Sequence, residues 1–385
     1  MRPPPRRVSV VFGSFLLLGA CAEGGKQDRV ESEVRITADH HMYGFKAEQA
    51  FPRFPIEPQD LQVEDGVLGF NDESRWTLDG QPGSRYELAK TGALVFRVPN
   101  GRNPDLVFQG GYGLSGDTGL FFFADTVKPK VGLFFGARII RAAADVTGDF
   151  HAFSLLVITR GAVADPDNVA RAFAGSLTTD ASGAVTAGEA RESTGHNLTL
   201  TGNLRSFNDG SVEVGLSLDH ATARTPRAFT AAATVTQSQP VTTSVILGHE
   251  TADNDAAGMI ALVRKRDGRA NLADLAGEYW VGILTVFPNP SNAGTEGSYG
   301  TLTISDTGGW RIDARDSTTT YRLSGTLEID ADGAMRLTNN ATREEWRGAF
   351  DQDYKTIVFV DHDLTGTSAS RPELNFFFAL RKDAE

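Results

Sequence analysis

The chain has 385 residues, 40% of them hydrophobic and 22% charged, with a single cysteine and a formal net charge of −12. One cysteine excludes an internal disulfide and a thiolate zinc cage, and the excess of acid over base excludes the basic footprint of a nucleic-acid binder. At roughly 150 residues per domain the length admits two or three domains, each large enough to bury its own core.

Residues 1–7 form a positive segment and Val8 to Ala20 an apolar run of thirteen residues, followed by the lone Cys21. Such a run is too short for the ~30 Å hydrocarbon core, which needs about 20 helical residues, so it reads as a signal peptide. Leu18-Gly19-Ala20-Cys21 resembles the lipobox of bacterial lipoproteins. The resemblance implies cleavage before Cys21, diacylation of its thiol and, usually, a third acyl chain on the new N-terminus. More than one chain gives stable attachment, because each buried CH₂ contributes ~0.8 kcal/mol. Removing residues 1–20 leaves 34 basic and 49 acidic groups, a net charge of −15, so the lipid rather than the protein body would hold the membrane. Ala22 stands where many inner-membrane lipoproteins carry aspartate, which implies an outer-membrane location facing periplasm or surface. Residues 21–35 lack an apolar period and read as a lipidated, solvated tether.

The rest of the chain repeats itself. Gly300 and Trp310 stand ten residues apart, as do Gly66 and Trp76; Tyr321-Arg-Leu323 parallels Tyr86-Glu-Leu88; and Phe376 to Arg381 parallels Leu133 to Arg138. The middle third follows with Gly175 to Asp180, Leu198 to Leu204 and Ile260 to Arg264. Three units are expected, at 36–142, 146–268 and 274–385. Within them Leu302 and Ile304, then Trp310, Ile312 and Ala314, alternate with polar residues, the mark of half-buried strands. Asp65-Gly66, Asp79-Gly80, Asn100-Gly101, Asp209-Gly210, Asp267-Gly268 and Asp332-Gly333 are expected turns, because Asn-Gly and Asp-Gly suit type I′ hairpins. Pro166 to Phe173 is the best helical signal.

The predicted fold class is all-β: three tandem antiparallel up-and-down barrel-like units of about eight strands each, with a six-bladed propeller as the alternative. Gly277-Glu-Tyr279 opens the third unit and Arg381 closes it; Gly148-Asp-Phe150 and Arg264 do so in the second. This is similar to the lipocalin/calycin superfamily, where an aromatic on the first strand packs under a basic residue from the last. The resemblance implies barrel-closing pairs Phe150–Arg264 and Tyr279–Arg381. In the first unit Tyr43 and Arg138 take these places, without the glycine.

Chemistry-bearing residues are sparse. His249-Glu250 and Asp361-His362-Asp363 follow corresponding strands of units two and three and form a candidate polar loop site; unit one has Ala124-Asp125 there. Two ligands fall short of the three or four that zinc needs. Asp330-Ala-Asp332-Gly333 lacks the later oxygens of a calcium loop and reads as a turn. No serine-nucleophile elbow, zinc-protease helix or phosphate loop occurs, so no catalytic residue, metal or cofactor is expected. The clusters Phe121–Phe123, Phe134-Phe135 and Phe376–Phe378 put apolar rings on both strand faces, which points to packing between units, or else to an apolar ligand pocket or a partner surface. The functional expectation is a lipid-anchored envelope protein acting as a binding or scaffold module. Its partners would be the membrane, through the lipid, and an envelope protein. The alternative is a lipocalin-like carrier of an apolar small molecule, and a less favoured one a hydrolase using His362 with Asp361 or Asp363.

Overall fold

Period-two alternation makes each run a strand with one inward and one outward face, and the short turns between runs make neighbours antiparallel. The computed structural model describes residues 34–383 apart from 52–55, 101–102, 114–118, 128, 159–169, 221–222, 236–242, 251–255, 290–292, 317 and 362–372. Among the described residues 24 strands form three closed barrels, which excludes the propeller. Barrel I comprises β1 (Ala38–Glu48), β2 (Leu61–Phe70), β3 (Arg75–Leu78), β4 (Gln81–Leu88), β5 (Ala93–Asn100), β6 (Asn103–Tyr112), β7 (Leu120–Asp125) and β8 (Lys130–Arg138). Barrel II comprises β9 (Gly148–Ile158), β10 (Ala170–Thr179), β11 (Val185–Glu192), β12 (Asn197–Ser206), β13 (Ser211–His220), β14 (Ala223–Val235), β15 (Thr243–Glu250) and β16 (Ala256–Arg264). Barrel III comprises β17 (Gly277–Phe287), β18 (Gly294–Ile304), β19 (Gly309–Arg315), β20 (Thr320–Ile329), β21 (Ala334–Asn339), β22 (Glu345–Phe350), β23 (Thr356–Asp361) and β24 (Leu374–Arg381). In each barrel the first strand pairs with the last, so no edge is left open.

Asp79-Gly80 and Asp332-Gly333 form turns as expected, and three other expectations are corrected. Asp65-Gly66 lies inside β2, paired with Tyr43 and Met42, and is not a turn. Asp79-Gly80 is the two-residue hairpin with positive φ at both positions (48° and 75°). At Asp332-Gly333 only the glycine has positive φ (88°), and its amide closes a four-residue turn on the Asp330 carbonyl. Of the expected helix at Pro166 to Phe173, residues 166–169 lie outside the described residues and 170–173 begin β10, where Ala170 and Ala172 face other apolar groups. The helix that does form is α1 (Leu272–Leu275), capped by the Asn271 side chain on the Ala273 amide at 3.1 Å. Residues 1–33, with Cys21, lie outside the described residues. The tether expected to reach residue 35 ends sooner, since the Val34 amide donates to the Leu88 carbonyl (3.0 Å) and Ile36 N to Tyr86 Oη (3.1 Å).

Each barrel holds its own inward core, and a further core lies between barrels. The phenylalanine runs divide between them by the pleat. Phe121, Phe123 and Phe134 point into barrel I and Phe377 into barrel III, whereas Phe122, Phe135, Phe376 and Phe378 point into the shared core. There Phe122 meets Phe378 edge to face, ring centroids 5.9 Å apart. Burying one such side chain contributes about 1.5–3 kcal/mol. Polar bonds fix the seams: Tyr43 Oη donates to Ala231 O (3.0 Å) between I and II, Trp280 Nε1 to Thr91 O (2.8 Å) between I and III, and Gln352 Nε2 to Lys265 O (2.7 Å) between II and III.

Close approach between barrels I and III requires a missing side chain at Gly297, where a Cβ would stand 2.9 Å from the carbonyl oxygens of Asp125 and Gly132. Gly297→Val should therefore lower stability by about 1–3 kcal/mol, the usual cost of overpacking, read as a lower denaturant midpoint. Gly215, whose backbone is extended and whose Cβ would meet only Asn203 Oδ1 at 3.2 Å and Asn203 O at 3.7 Å, serves as the control.

Candidate functional site

The register places Arg264 opposite Phe150 and Arg381 opposite Tyr279. The Arg264 guanidinium lies 4.8 Å from the Phe150 ring centroid and the Arg381 guanidinium 5.7 Å from that of Tyr279. Both reach carbonyls of the peptide that leads into their barrel. Arg264 donates to Thr147 O (2.6 Å) and Asp145 O (2.9 Å), and Arg381 to Asp274 O (2.7 Å) and Ala276 O (2.8 Å). In barrel I the residue opposite Arg138 is His40, not Tyr43. Tyr43 is three residues further on and faces outward, into the shared core. His40 is fully buried against Phe70, Tyr112 and Phe121, and burial pushes its pKa down to about 3, so the ring is neutral. Arg138 is exposed, unlike its counterparts.

The expected His249/Glu250 site is not assembled. The two residues are neighbours on β15, so their side chains point to opposite faces. His249 points into the seam with barrel I, its ring 5.5 Å from that of Tyr43, its Nδ1–H bonded to Glu250 O (3.0 Å) and its pKa lowered by burial. Glu250 points into barrel II, where Arg227 Nη1 donates to its Oε1 at 3.1 Å. Asp361 points into barrel III and accepts from Asn375 Nδ2 at 3.3 Å; His362 and Asp363 lie outside the described residues. Counting from the aligned arginines, Ala124, His249 and Val360 pair with the residues five before Arg138, Arg264 and Arg381. The structural counterpart of Glu250 and Asp361 is thus Asp125, and each barrel carries one buried carboxylate at the end of its seventh strand. Three carboxylates, rather than histidines, are what the repeat shares here.

Barrel I adds two charged groups at that end. Lys46 on β1 and Glu64 on β2 both point inward, and Lys46 Nζ forms a buried ion pair with Asp125 Oδ2. Gln62 donates to Glu64 Oε1. Burial pushes the Glu64 carboxyl up to about 7, Lys46 opposing and Asp125 adding to the rise; burial also raises Asp125. Below these groups lies a cavity of about 60 Å³, walled by Trp76, Phe96, Phe108, Phe123 and Phe134. Phe123 and Phe134 stack at 4.8 Å, and Phe96 meets Phe123 edge-on at 5.0 Å. Sequence reasoning missed Lys46 and Glu64. Their signal was a charged residue at an inward position of a strand that otherwise alternates apolar. Among the described residues no three His, Cys, Asp or Glu side chains are grouped as metal ligands.

A second recess of about 350 Å³ lies in the seam between barrels I and III, where Arg315 covers the Tyr299 ring (4.7 Å) and donates to Gln109 Oε1. Thr126, Thr318 and Thr320 supply hydroxyls along it.

No protein-family model and no curated protein matches the chain. Among solved structures it is similar to a DUF3598-family protein of unknown function from Nostoc punctiforme, 12% identical over 61% of this chain and 96% of that one, TM-score 0.23. It is also similar to intact TbpB with its N and C lobes, 8% identical over 91% and 78%, TM-score 0.30. A third is isotype 1 transferrin binding protein B from serogroup B Neisseria meningitidis, 10% identical over 90% and 75%, TM-score 0.27. Scores of this size do not superpose whole architectures, so the fold stands on the strand pairing alone.

Glu64 has a folded pKa above its unfolded value, so its contribution to stability is complete below about pH 4 and is lost as pH rises through about 7. Glu64→Gln keeps the neutral shape. It should match the wild type in urea at pH 4 and exceed it by about 1–3 kcal/mol at pH 8, on the usual cost of a buried polar group. His249 has the opposite sign: its lowered pKa gives stability that is present above pH ~6.5 and lost as pH falls. Thermal unfolding should show a smaller decline between pH 7 and pH 5 in His249→Leu than in the wild type.

Proposed function

We propose that this chain is a lipid-anchored protein of the bacterial envelope, held by acyl groups on Cys21, whose three barrels act as a binding and scaffold module for an envelope partner. The observation that carries the reading is the shared apolar core, which joins the barrels side by side and keeps the turns at their ends on the surface. Such a body suits display of several loops in fixed relative positions. The lipobox Leu18-Gly19-Ala20-Cys21 supplies the attachment, and the net −15 of the processed chain directs attachment to the lipid rather than to the acidic surface. Ala22 favours the outer membrane. The carrier reading asks for a pocket of about 300 Å³ or more. Barrel I offers about 60 Å³, and the recess of about 350 Å³ between barrels I and III is lined by Arg315, Gln109 and threonine hydroxyls, so a drug-sized apolar cargo has less support.

Cys21→Ser should abolish incorporation of labelled palmitate and move the protein from the membrane to the soluble fraction. Continued labelling together with membrane partition would overturn the anchor. Native mass spectrometry of the mature protein, drawn gently from its own host, should show a protein adduct; the bare chain mass alone counts against the module.

A further inference from the structure

We propose that the mouth of barrel I is a binding site for a small organic ammonium ion, whose cationic head pairs with Glu64 and whose short apolar body enters the aromatic cavity beneath. The site is independent of the anchor, and its test does not depend on Cys21.

Charge balance carries the first step. Three ionisable side chains line the cavity, and all are buried: Lys46 (7% exposed), Glu64 (8%) and Asp125 (1%). Lys46 pairs with Asp125 and also acts on Glu64, which accepts from Gln62, so among the described residues lining the chamber two carboxylates face one lysine. A buried charge without a counter-charge is costly, so the chamber favours either a proton on Glu64 or one added positive charge. A carboxylate ligand would instead meet two like charges against one lysine already paired.

Comparison of the barrels carries the second step. Glu64 pairs with Gly44, four residues beyond His40 on β1. The equivalent pairs are Phe173 with Ser154 in barrel II and Ser298 with Ile283 in barrel III. Barrel II thus fills the position with a ring that belongs to its core, and its inward carboxylates Glu250 and Glu192 meet Arg227 and Arg171. Barrel I here sets two inward carboxylates and a lysine over a cavity.

The walls carry the third. Trp76, Phe96, Phe108, Phe123 and Phe134 wall the cavity, so the short apolar body of the ligand leaves water for apolar surface beneath its charged head. Lys46 already sits 6.0 Å from the Phe134 centroid. The cavity of about 60 Å³ is smaller than the roughly 150 Å³ that takes up benzene, so the ligand should have about four heavy atoms.

Binding of a cation requires ionised Glu64. Because the Glu64 carboxyl titrates near 7 against Lys46 and Asp125, the cavity's other charged groups, affinity should rise with pH through that value and fall about tenfold between pH 8 and pH 6. The probes are propylammonium, its neutral isostere 1-propanol and the anion propionate, titrated into the full chain and followed by saturation-transfer NMR. Propylammonium should bind in the millimolar range at pH 8, at least about tenfold tighter than 1-propanol, with propionate weakest. Glu64→Gln should erase the preference of ammonium over alcohol, and Glu64→Asp should keep it, which guards against a variant that misfolds. The proposal is overturned if propionate binds as tightly as propylammonium, if Glu64→Gln leaves the preference intact, or if the wild type binds none of the three at pH 8.

Discussion

The architecture rests on strands that are apolar on both faces. A closed barrel needs only one apolar face per strand, and a solvated outer face is the default for an antiparallel sheet. In this chain the first, seventh and eighth strands of each barrel break that default. β7, β8, β15, β16, β23 and β24 are buried along nearly their whole length, because their inward residues fill a barrel while their outward residues meet another barrel. Once three such surfaces exist, each would be an exposed apolar patch alone, and mutual packing is the arrangement that removes all three from water. Close packing then requires glycine wherever backbones meet. Gly282 faces the Phe122 and Leu133 side chains, and Gly294 faces the backbone of Gln49.

That constraint also decides what the remaining strands can be. β3, β4, β11, β12, β19 and β20 lie away from the shared core and keep the alternating pattern, with exposed ion pairs such as Arg322 with Asp313 and Arg97 with Glu87 on their outer faces. Such surface pairs contribute little to stability, a median near 0–1 kcal/mol, so these strands contribute mainly through their inner faces. The barrel ends are likewise different from one another. At the arginine end, Arg264 and Arg381 bind the lead-in peptide to the last strand and cover a ring, which closes barrels II and III with hydrogen bonds and a cation–π contact. The opposite end carries the buried carboxylates.

Much of this was legible in the residues. The period of two, the tryptophan ten residues after a glycine, and the arginine that ends the repeats are local signals; Phe70 pairs with Trp76 just as Ile304 pairs with Trp310. The pleat rule also divided the phenylalanine runs between barrel interior and seam. What was not legible is register. Choosing Tyr43 over His40 as the partner of Arg138 favours an aromatic residue over the position three before it, and the choice flips the face. Spacing from the end of a strand settles it only when the partner strand is known. Asp65-Gly66 misled for a related reason: the dipeptide has turn chemistry, but pairing with Tyr43 and Met42 on β1 holds it extended. The His249-Glu250 pair looked like one site because adjacency in sequence was read as adjacency in space, and on a strand adjacent side chains diverge.

Divergence within a repeat is more informative about function than its conserved frame. Positions that close a barrel must be alike, and Phe150 and Tyr279 are; positions inside a sealed barrel need only fill volume. His40 and Glu64 meet neither requirement, since each brings a titratable group into an interior that the sister barrels seal with Phe150 and Tyr279, or with Phe173. His40 is half satisfied, with Nε2 3.1 Å from Tyr112 Oη and Nδ1 without a hydrogen-bond partner among the described residues, and burial suppresses its charge. Glu64 accepts from Gln62 but keeps its charge in play. Its carboxyl retains a proton equilibrium near neutrality, beside an ion pair and above a cavity, at the position where barrel II carries Phe173. A polar group that destabilises its barrel at neutral pH and sits over open volume is the arrangement expected where an interior has been kept available for something other than the fold.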